Sequence, residues 1–277
     1  MSRKNKVVVI TRDSGFLAPL AWLCRHSHIS GYYELHDFYA DLSWISKKSS
    51  KHYREKIYEH LFLSRISGLI CITKAQQDLY RQVFPRVRSC SFPLGTKPVA
   101  NSATMETVRK RRTLMYVGHM HGEKGVDFLL EVASELAKSS IRISFWGGKA
   151  KKIPSYQKKA RELGVDDMVE FVSFQPPEVL HAAIREQASL GVVMLRDTYY
   201  NRYLTCPVKA LDYLSHGIPA IGSDLPSVHE VLGESGTFVP PDDVDAFVSS
   251  VINLLDDADQ YETMATRTRH RAQEITW

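Results

Sequence analysis

The chain has 277 residues, of which 44% are hydrophobic and 24% are charged, a composition typical of a soluble globular protein long enough for two domains. No apolar run approaches the roughly 20 residues that a membrane-spanning helix needs, and the first residues lead directly into a predicted strand, so neither a span nor a signal peptide is expected. The cysteines form no C-x-x-C pair, which argues against a zinc site or a disulfide framework and favours a cytoplasmic location: Cys24, Cys71, Cys90 and Cys206.

Positive charge is concentrated in the first part of the chain. Residues 1–100 carry 16 Lys and Arg against 7 Asp and Glu, a net +9, whereas the remainder carries 20 against 24, a net −4. Much of the excess lies in segment 47–56, which reads KKSSKHYREK. Such a segment is typical of a solvated helix face, or of a peripheral contact with anionic lipid at the inner face of the membrane or with an anionic acceptor. Nucleic acid binding is disfavoured because basic and aromatic residues do not interleave beyond it.

Strands and helices alternate strictly through residues 1–100, which predicts an α/β domain with right-handed crossovers. The predicted strands lie at 6–11, 31–36 and 68–73, the helices at 16–26 and 43–64, and a last strand and turn at 86–95. The first run is β-branched, as in strands that are buried on both faces of a parallel sheet. His36 and Asp37 fall at the carboxyl end of a strand, where such sheets place their ligands, although a packing role explains His36 equally well.

Polar residues without periodicity predict a linker over 101–112, and a second alternation fills 113–277. Its predicted strands lie at 113–118, 141–146, 169–172, 190–194, 220–223 and 236–239, with helices at 124–138, 156–163, 178–187 and 242–255 and a short helix around Glu230. Gly147 and Gly148 follow one of these strands and would let the backbone approach a ligand, a weak signal by itself.

A well-bounded short helix is predicted between Thr205 and Gly217. Thr205 or Cys206 would serve as the N-cap, Pro207 lies in the first turn, and Gly217 lies just past the end. Lys209 and Asp212 are three residues apart and share one face. A lysine at the positive end of a helix is unfavourable unless an anion binds there, which predicts a phosphate site. A surface Lys-Asp pair is the alternative for these two residues alone.

Several motifs together resemble glycosyltransferase family 4. Gly118 to Gly125 resembles the family's G-R-L-x-x-x-K-G turn, and the segment from Pro207 to Pro219 resembles its P-x-K-x-x-E-Y-x-x-x-G-x-P motif. Ser223-Asp224, Glu230 and Gly236-x-x-Val239-x-Pro241 continue the match in order, so the resemblance covers most of residues 112–277. It is weaker in the first domain, at segments 33–37, 72–74 and 92–95.

The resemblance implies the GT-B architecture, in which two Rossmann-like domains face a cleft and the C-terminal one holds a nucleotide-sugar. Residues 1–100 would form a shortened acceptor-side domain, and 113–277 the donor domain. The donor-binding residues implied are Gly118, His119, Lys124, Val172, Asn201, Val208, Lys209 and Asp212. Lys124 and Lys209 would neutralise the diphosphate and Asp212 would hold the ribose hydroxyls. His36 would be the catalytic residue near the sugar, and no metal and no cofactor would be needed beyond a UDP- or GDP-sugar donor.

The chain departs from the family pattern at three places. His119 stands where the family usually has a phosphate-binding arginine. The first of the family's two glutamates falls on Leu204, so that Asn201 or Arg202 would have to contact the donor sugar, and the second is the shorter Asp212. The first domain resembles only the later part of the family's domain, and its uncovered surface is expected to favour self-association or a protein partner.

Two functions remain in view. The first is a retaining hexosyltransferase that builds a surface polysaccharide on a saccharide or lipid-linked acceptor. The second is a non-catalytic subunit that binds a nucleotide-sugar or a partner without turnover. A dinucleotide oxidoreductase is a distant third, because neither domain opens with G-x-G-x-x-G.

Overall fold

The computed structural model describes residues 5–92, 94–99, 103–120 and 124–276. The chain divides into two compact units. The first comprises Met1–Pro93 and Tyr199–Cys206, and the second comprises Leu94–Thr198 and Pro207–Trp277. Each unit contains one parallel sheet, as the alternation of strands and helices predicts.

Four strands form the sheet of the first unit, in the order β1-β2-β3-β4. The strands are β1 (Val7–Thr11), β2 (Ile29–Leu35), β3 (Gly68–Cys71) and β4 (Ser89–Ser91), and the helices are α1 (Leu17–Leu23), α2 (Ser50–Phe62) and α3 (Lys74–Val83). Every crossover advances in the same direction, so right-handed connections place the three helices on one face of the sheet. The core includes Leu17, Tyr33, Leu35, Phe38, Ala40, Leu63, Leu69, Cys71, Tyr80 and Leu204.

Strand β1 exists as predicted, but the prediction that it is buried on both faces is wrong. Val8 is 63% exposed and Ile10 is 55% exposed. Among the described strands β1 pairs with β2 alone, so it lies at the edge of the sheet, and the helices cover one face. Continuous β-branched composition therefore identifies the strand but not its neighbours.

Helix α2 is shorter than the predicted helix over 43–64. It begins at Ser50, after a capping box between Ser49 and His52. The preceding residues are held in a loop instead, where the Ser43 amide donates to Asp41 at 3.0 Å. Such side-chain bonds compete with the helical hydrogen-bond pattern.

Six strands form the sheet of the second unit, in the order β10-β9-β8-β5-β6-β7. They are β5 (Thr113–Val117), β6 (Arg142–Gly148), β7 (Val169–Ser173), β8 (Leu190–Val193), β9 (Ala220–Ser223) and β10 (Gly236–Val239). The helices are α4 (Met105–Lys110), α5 (Val126–Ala137), α6 (Ile153–Glu162), α7 (Pro177–Gln187), α8 (Val208–Ser215), α9 (Pro226–Leu232), α10 (Val244–Asp256) and α11 (Ala258–Glu274). The chain order reverses at β5, between β6 and β8. The carboxyl end of β5 is therefore a topological switch point, the usual ligand position in such sheets.

Two helices of the second unit lie where the sequence predicted none, as does α3 in the first unit. Helix α4 falls within the predicted linker, starts after the cap of Thr104 and buries Val108. Helix α11 extends the chain past the last predicted helix, and its Tyr261 hydroxyl donates to the Ser189 carbonyl at 2.7 Å. Its buried residues are spaced as one helical face: Tyr261, Met264, Ala265, Thr268 and Ala272. Among the described residues, no helix combines the length and the apolar character that crossing a bilayer requires.

Candidate functional site

Helix α8 carries the central feature of the candidate site, a buried lysine. It starts after Pro207, and Gly217 beyond its end has φ 65°, close to the predicted limits. The Lys209 Nζ lies 3.7 Å from the centroid of the Tyr116 ring, over its face. The Nζ atom is buried, and no described residue is its hydrogen-bond partner. Among the described residues, no anion lies next to this buried ammonium to stabilise it.

Tyr213, one turn after Lys209, fixes helix α8 against the sheet. Its buried hydroxyl donates to the Met115 carbonyl at 2.7 Å and accepts from the Val117 amide at 3.0 Å. Gly191 leaves room for the ring, since a Cβ there would lie 2.2 Å from Tyr213. These contacts hold the helix at the carboxyl end of β5, with Lys209 above Tyr116.

Burial, and to a smaller extent the positive charge of Lys124, lowers the pKa of Lys209 to about 7. Lys124 immediately precedes Gly125, the N-cap of α5, so two lysines at the start of two helices share this region. The structure therefore brings together two of the predicted diphosphate-binding residues. A bound anion would favour the charged form of Lys209.

Two glycine turns meet beside these lysines. Gly118 has φ 120° and Gly147 has φ 107°, which favour glycine. A Cβ on Gly147 would lie 2.8 Å from the Gly118 carbonyl oxygen, so the loops after β5 and β6 are in direct contact. Replacing Gly147 would push these loops apart.

A small apolar cavity of about 110 Å³ opens between these loops and α7. Its lining residues are Val117, Gly118, His119, Trp146, Gly147, Phe174, Gln175 and Leu180. Trp146, Phe174 and Leu180 were not among the predicted site residues. Phe174 is the residue directly after β7, a position that the rule about carboxyl ends of strands would have identified. The predicted base contact, Val172, lies two residues earlier in β7 and is not among the lining residues.

Asp212 is half-buried on α8. Burial raises its pKa to about 6, and His181 on α7 acts in the opposite direction. His181 Nδ1 lies 2.8 Å from His216 Nε2, and burial lowers the pKa of His216 to about 4, so that His216 is neutral at physiological pH. Val208, one residue before Lys209, is 53% exposed.

The His119 side chain is exposed and its backbone is fixed. Its carbonyl accepts from the Tyr116 hydroxyl at 2.7 Å. The side chain also borders a second cavity of about 290 Å³, together with Lys149 and Lys152. These lysines place further positive charge next to the histidine that stands in for the family's arginine.

His36 and Asn201 belong to the first unit, unlike the other predicted site residues. His36 Nε2 lies 3.1 Å from Glu34 Oε1 at the end of β2, and its side chain is 44% exposed. Asn201 is buried in a π-helical segment, Tyr200–Leu204. In the same segment Leu204 is 0% exposed and packs into the core of the first unit. The residue at the family's first glutamate position is thus a core residue here.

A buried carboxyl group lies beneath the loop that follows β2. Glu59 on α2 is 0% exposed and accepts from the Tyr80 hydroxyl at 2.6 Å, while its Oε2 has no partner among the described residues. Burial raises the pKa of Glu59 to about 8. Gln76 donates to the Asp37 carbonyl at 2.9 Å, so the loop next to His36 is held from below.

A larger cavity of about 840 Å³ lies elsewhere in the second unit. Residues at the amino ends of β5, β6 and β7 line it, including Thr113, Arg142 and Val169. None of the predicted donor-binding residues borders it. We assign the site to the smaller cavity, because ligands of parallel sheets bind at carboxyl ends. Lys209 lies next to this cavity, since a Cβ on Gly118, one of its lining residues, would be 3.8 Å from Lys209 Cε.

Comparisons with known proteins identify the family of the chain and its fold. The profile of the family described as "Glycosyl transferases group 1" matches residues 111–257. A D-inositol 3-phosphate glycosyltransferase of Corynebacterium aurimucosum is 24% identical over 235 residues, which cover 80% of this chain and 51% of that protein. The structure superposes on sucrose-phosphate synthase from Thermosynechococcus elongatus with a TM-score of 0.69 at 19% identity, covering 98% of this chain and 70% of that one. Anabaena HepE in complex with UDP and glucose gives a TM-score of 0.70 at 15% identity, covering 97% and 73%.

The structural likeness shows the GT-B fold, which the sequence motifs predicted. The chain spans about half the length of the curated relative described above. The family profile nevertheless covers more than half of the chain, from the start of β5 to the end of α10. The chain therefore belongs to the glycosyl transferases group 1 family.

Proposed function

We propose that this chain transfers a hexose, with retention, from a nucleoside-diphosphate sugar to a glycan or lipid-linked acceptor in surface polysaccharide synthesis. The observation that carries the proposal is the buried, unpartnered Nζ of Lys209 at the start of α8, with Lys124 nearby. A diphosphate at this position would pair with both lysines and with the amides at the start of α8.

We place the donor base in the apolar cavity between the glycine turns, where Trp146 and Phe174 are among the lining residues. Uracil is the base that we propose. The solved neighbour HepE, which contains UDP and glucose, supports the same choice. The ribose hydroxyls would donate to Asp212.

The charges explain how such a site would accelerate transfer. As the bond between sugar and phosphate breaks, negative charge grows on the departing diphosphate. In this proposal Lys209, Lys124 and the amides of α8 would stabilise that charge more strongly in the transition state than in the bound donor. We propose that no metal is required for this step, and that a donor phosphate oxygen assists deprotonation of the acceptor hydroxyl, as the family resemblance implies.

UDP-glucose affinity is expected to be highest between about pH 6 and pH 7. Asp212, whose pKa is raised to about 6, loses its ability to accept two hydroxyls when it is protonated below that pH. Lys209, whose pKa is lowered to about 7, must take up a proton on binding above that pH, and affinity then falls by up to about tenfold per pH unit.

Calorimetry in two buffers of different ionisation enthalpy would measure both the affinity and the proton uptake. UDP-glucose is the suitable probe because its diphosphate diester does not titrate in this range. Asp212→Asn is expected to remove the acidic limb and leave the alkaline limb in place. An affinity that stays constant from about pH 5 to about pH 9 would rule out this assignment of the two groups.

The non-catalytic alternative is favoured by one observation, the burial of Leu204 at the family's first glutamate position. His36→Ala tests the catalytic role of His36. An enzyme is expected to lose turnover in this variant and to keep its UDP-glucose affinity, because His36 lies outside the second unit. Product formation by the unaltered protein, measured with radiolabelled donor and a mixture of saccharide acceptors or as donor hydrolysis, decides between the two functions. Binding without either reaction would identify a binding subunit.

A further inference from the structure

Helix α2 of the first unit turns its two acids inward and three of its apolar side chains outward, while Tyr58 and Phe62 pack against the core. Glu55 is 3% exposed and Glu59 is 0% exposed. Tyr53, Ile57 and Leu61 are 52%, 55% and 48% exposed. The three apolar residues are spaced by four, so they form a stripe along the outer face of the helix.

Hydrogen bonds hold the inner face of α2 against the rest of the first unit. Glu55 accepts from the Ser14 hydroxyl and from Arg54 at 2.8 Å, and Glu59 accepts from Tyr80 at 2.6 Å. The buried hydroxyls of Ser14 and Tyr80 would be left unsatisfied if the helix turned its apolar stripe inward. The exposed stripe is therefore a fixed property of this surface.

Cations flank the apolar stripe. On a helical projection Arg54 lies beside Leu61 and Lys56 lies beside Tyr53. The only carboxylates between residues 47 and 62 are the two that point inward. Further lysines precede or begin the helix, all of them exposed: Lys47, Lys48 and Lys51.

Helix α1 extends this surface, because it packs against α2. Trp22 is 59% exposed and Phe16 is 60% exposed. A groove of about 490 Å³ lies between α1 and the end of α2, lined by Ala18, Ala21, Trp22, Cys24, Arg25, Phe62 and Arg65. Within the described part of the chain, neither Arg25 nor Arg65 has a side-chain hydrogen bond or an ion pair.

We propose that the α1–α2 surface, defined by Phe16, Trp22, Tyr53, Ile57 and Leu61 with the cations around them, docks on an anionic lipid bilayer. The apolar side chains enter the interfacial region, the lysines contact lipid phosphates, and Arg25 and Arg65 hold a headgroup phosphate in the groove. Charge favours lipid over a second copy of the chain, since two such basic surfaces would repel each other. The proposal is independent of whether the second unit turns over a donor.

Flotation of the full chain with vesicles tests the proposal. Vesicles of phosphatidylcholine containing phosphatidylglycerol as the minor component are expected to bind the protein, and vesicles of phosphatidylcholine alone are not. Binding should weaken as salt rises, because screening shortens the range of the attraction. Equal binding to both vesicle types, or none to either at low salt, would overturn the proposal.

Variants assign the binding to this surface. Lys47→Ala with Lys51→Ala should weaken binding by roughly thirtyfold, since each cation near an anionic surface contributes about 1 kcal/mol. Ile57→Ser with Leu61→Ser should weaken it further, while Val179→Ser, an equally exposed apolar residue of the second unit, should not change it. Vesicle binding that all these variants retain in full would place the contact elsewhere. A dimer that Ile57→Glu dissociates, with no vesicle binding, would assign the surface to a second copy and refute the lipid contact.

Discussion

Replacing Lys209 with methionine is expected to weaken UDP-glucose binding roughly tenfold to a hundredfold and to raise the melting temperature of the protein. The loss of affinity follows from the lost contact with the diphosphate, since a hydrogen bond to a charged group contributes about 1.5–3 kcal/mol. The gain in stability follows from burial. The pKa of Lys209 falls from 10.5 to about 7 in the empty site, so keeping the cation buried costs up to roughly 4 kcal/mol at pH 7.

Methionine has nearly the same length and no charge, so it keeps the packing over Tyr116 and removes that cost. Calorimetry and thermal unfolding measure the two effects on the same samples. Lys158→Met is the matched control, because the Lys158 side chain is 73% exposed on α6 and pairs only weakly with Glu162. It should change neither quantity by more than about 0.5 kcal/mol.

Because affinity is expected to fall while stability rises, the Lys209→Met variant distinguishes a binding role from a structural one. A variant that binds UDP-glucose as the unaltered protein does would remove α8 from the donor site. A variant that loses both affinity and stability would make Lys209 a structural residue, and its effect on binding would be indirect.

Glu59→Gln is expected to abolish a loss of stability that the unaltered protein shows on going from pH 5 to pH 9. The pKa of Glu59 rises from 4.5 to about 8 on folding, chiefly through burial. The folded state therefore holds its proton over a range where the unfolded state has released it. Stability is full below about pH 4.5 and declines as the pH rises through about 8, by roughly 4 kcal/mol between pH 5 and pH 9.

Glutamine has the shape of the protonated acid and still accepts from the Tyr80 hydroxyl, so the variant should show little of this decline. Urea unfolding at several pH values, followed by a probe in the first unit, measures the effect. Glu131→Gln, at an exposed position on α5, is the control and should leave the pH dependence unchanged. A parallel decline in the Glu59→Gln variant would mean that another group carries the pH dependence.

The same buried acid links stability to the loop beside His36. Tyr80 and Gln76 both reach the Asp37 carbonyl, at 3.4 and 2.9 Å, and Tyr80 also bonds Glu59. Ionisation of Glu59 is therefore expected to disturb the end of β2. A decline in turnover over the same pH range as the decline in stability would be consistent with this link.

Local patterns in the sequence determined the elements of both sheets and the limits of helix α8. Pro207 and Gly217 mark the ends of that helix because one lacks an amide hydrogen and the other adopts a positive φ, effects that act within a turn. The spacing of three residues, which is also a local feature, places Lys209 and Asp212 on one face of the helix. The stripe of α11 is also local, and the sequence contains it as five residues at helical spacing.

Only the tertiary structure decided which of these groups are buried, and against what. Lys209 Nζ is buried against the ring of Tyr116, from a strand more than 90 residues earlier, and has no hydrogen-bond partner among the described residues. Trp146 and Phe174 line the same cavity because β6 and β7 pair in parallel, and no local sequence pattern predicts that pairing. Helix α2 has charged and apolar residues on several faces, so its sequence does not show which face is buried. The face with Glu55 and Glu59 is buried because the distant Ser14 and Tyr80 donate hydrogen bonds to these two acids. Burial depends on contacts between residues far apart in the chain, whereas periodicity reports only the repeat of each element.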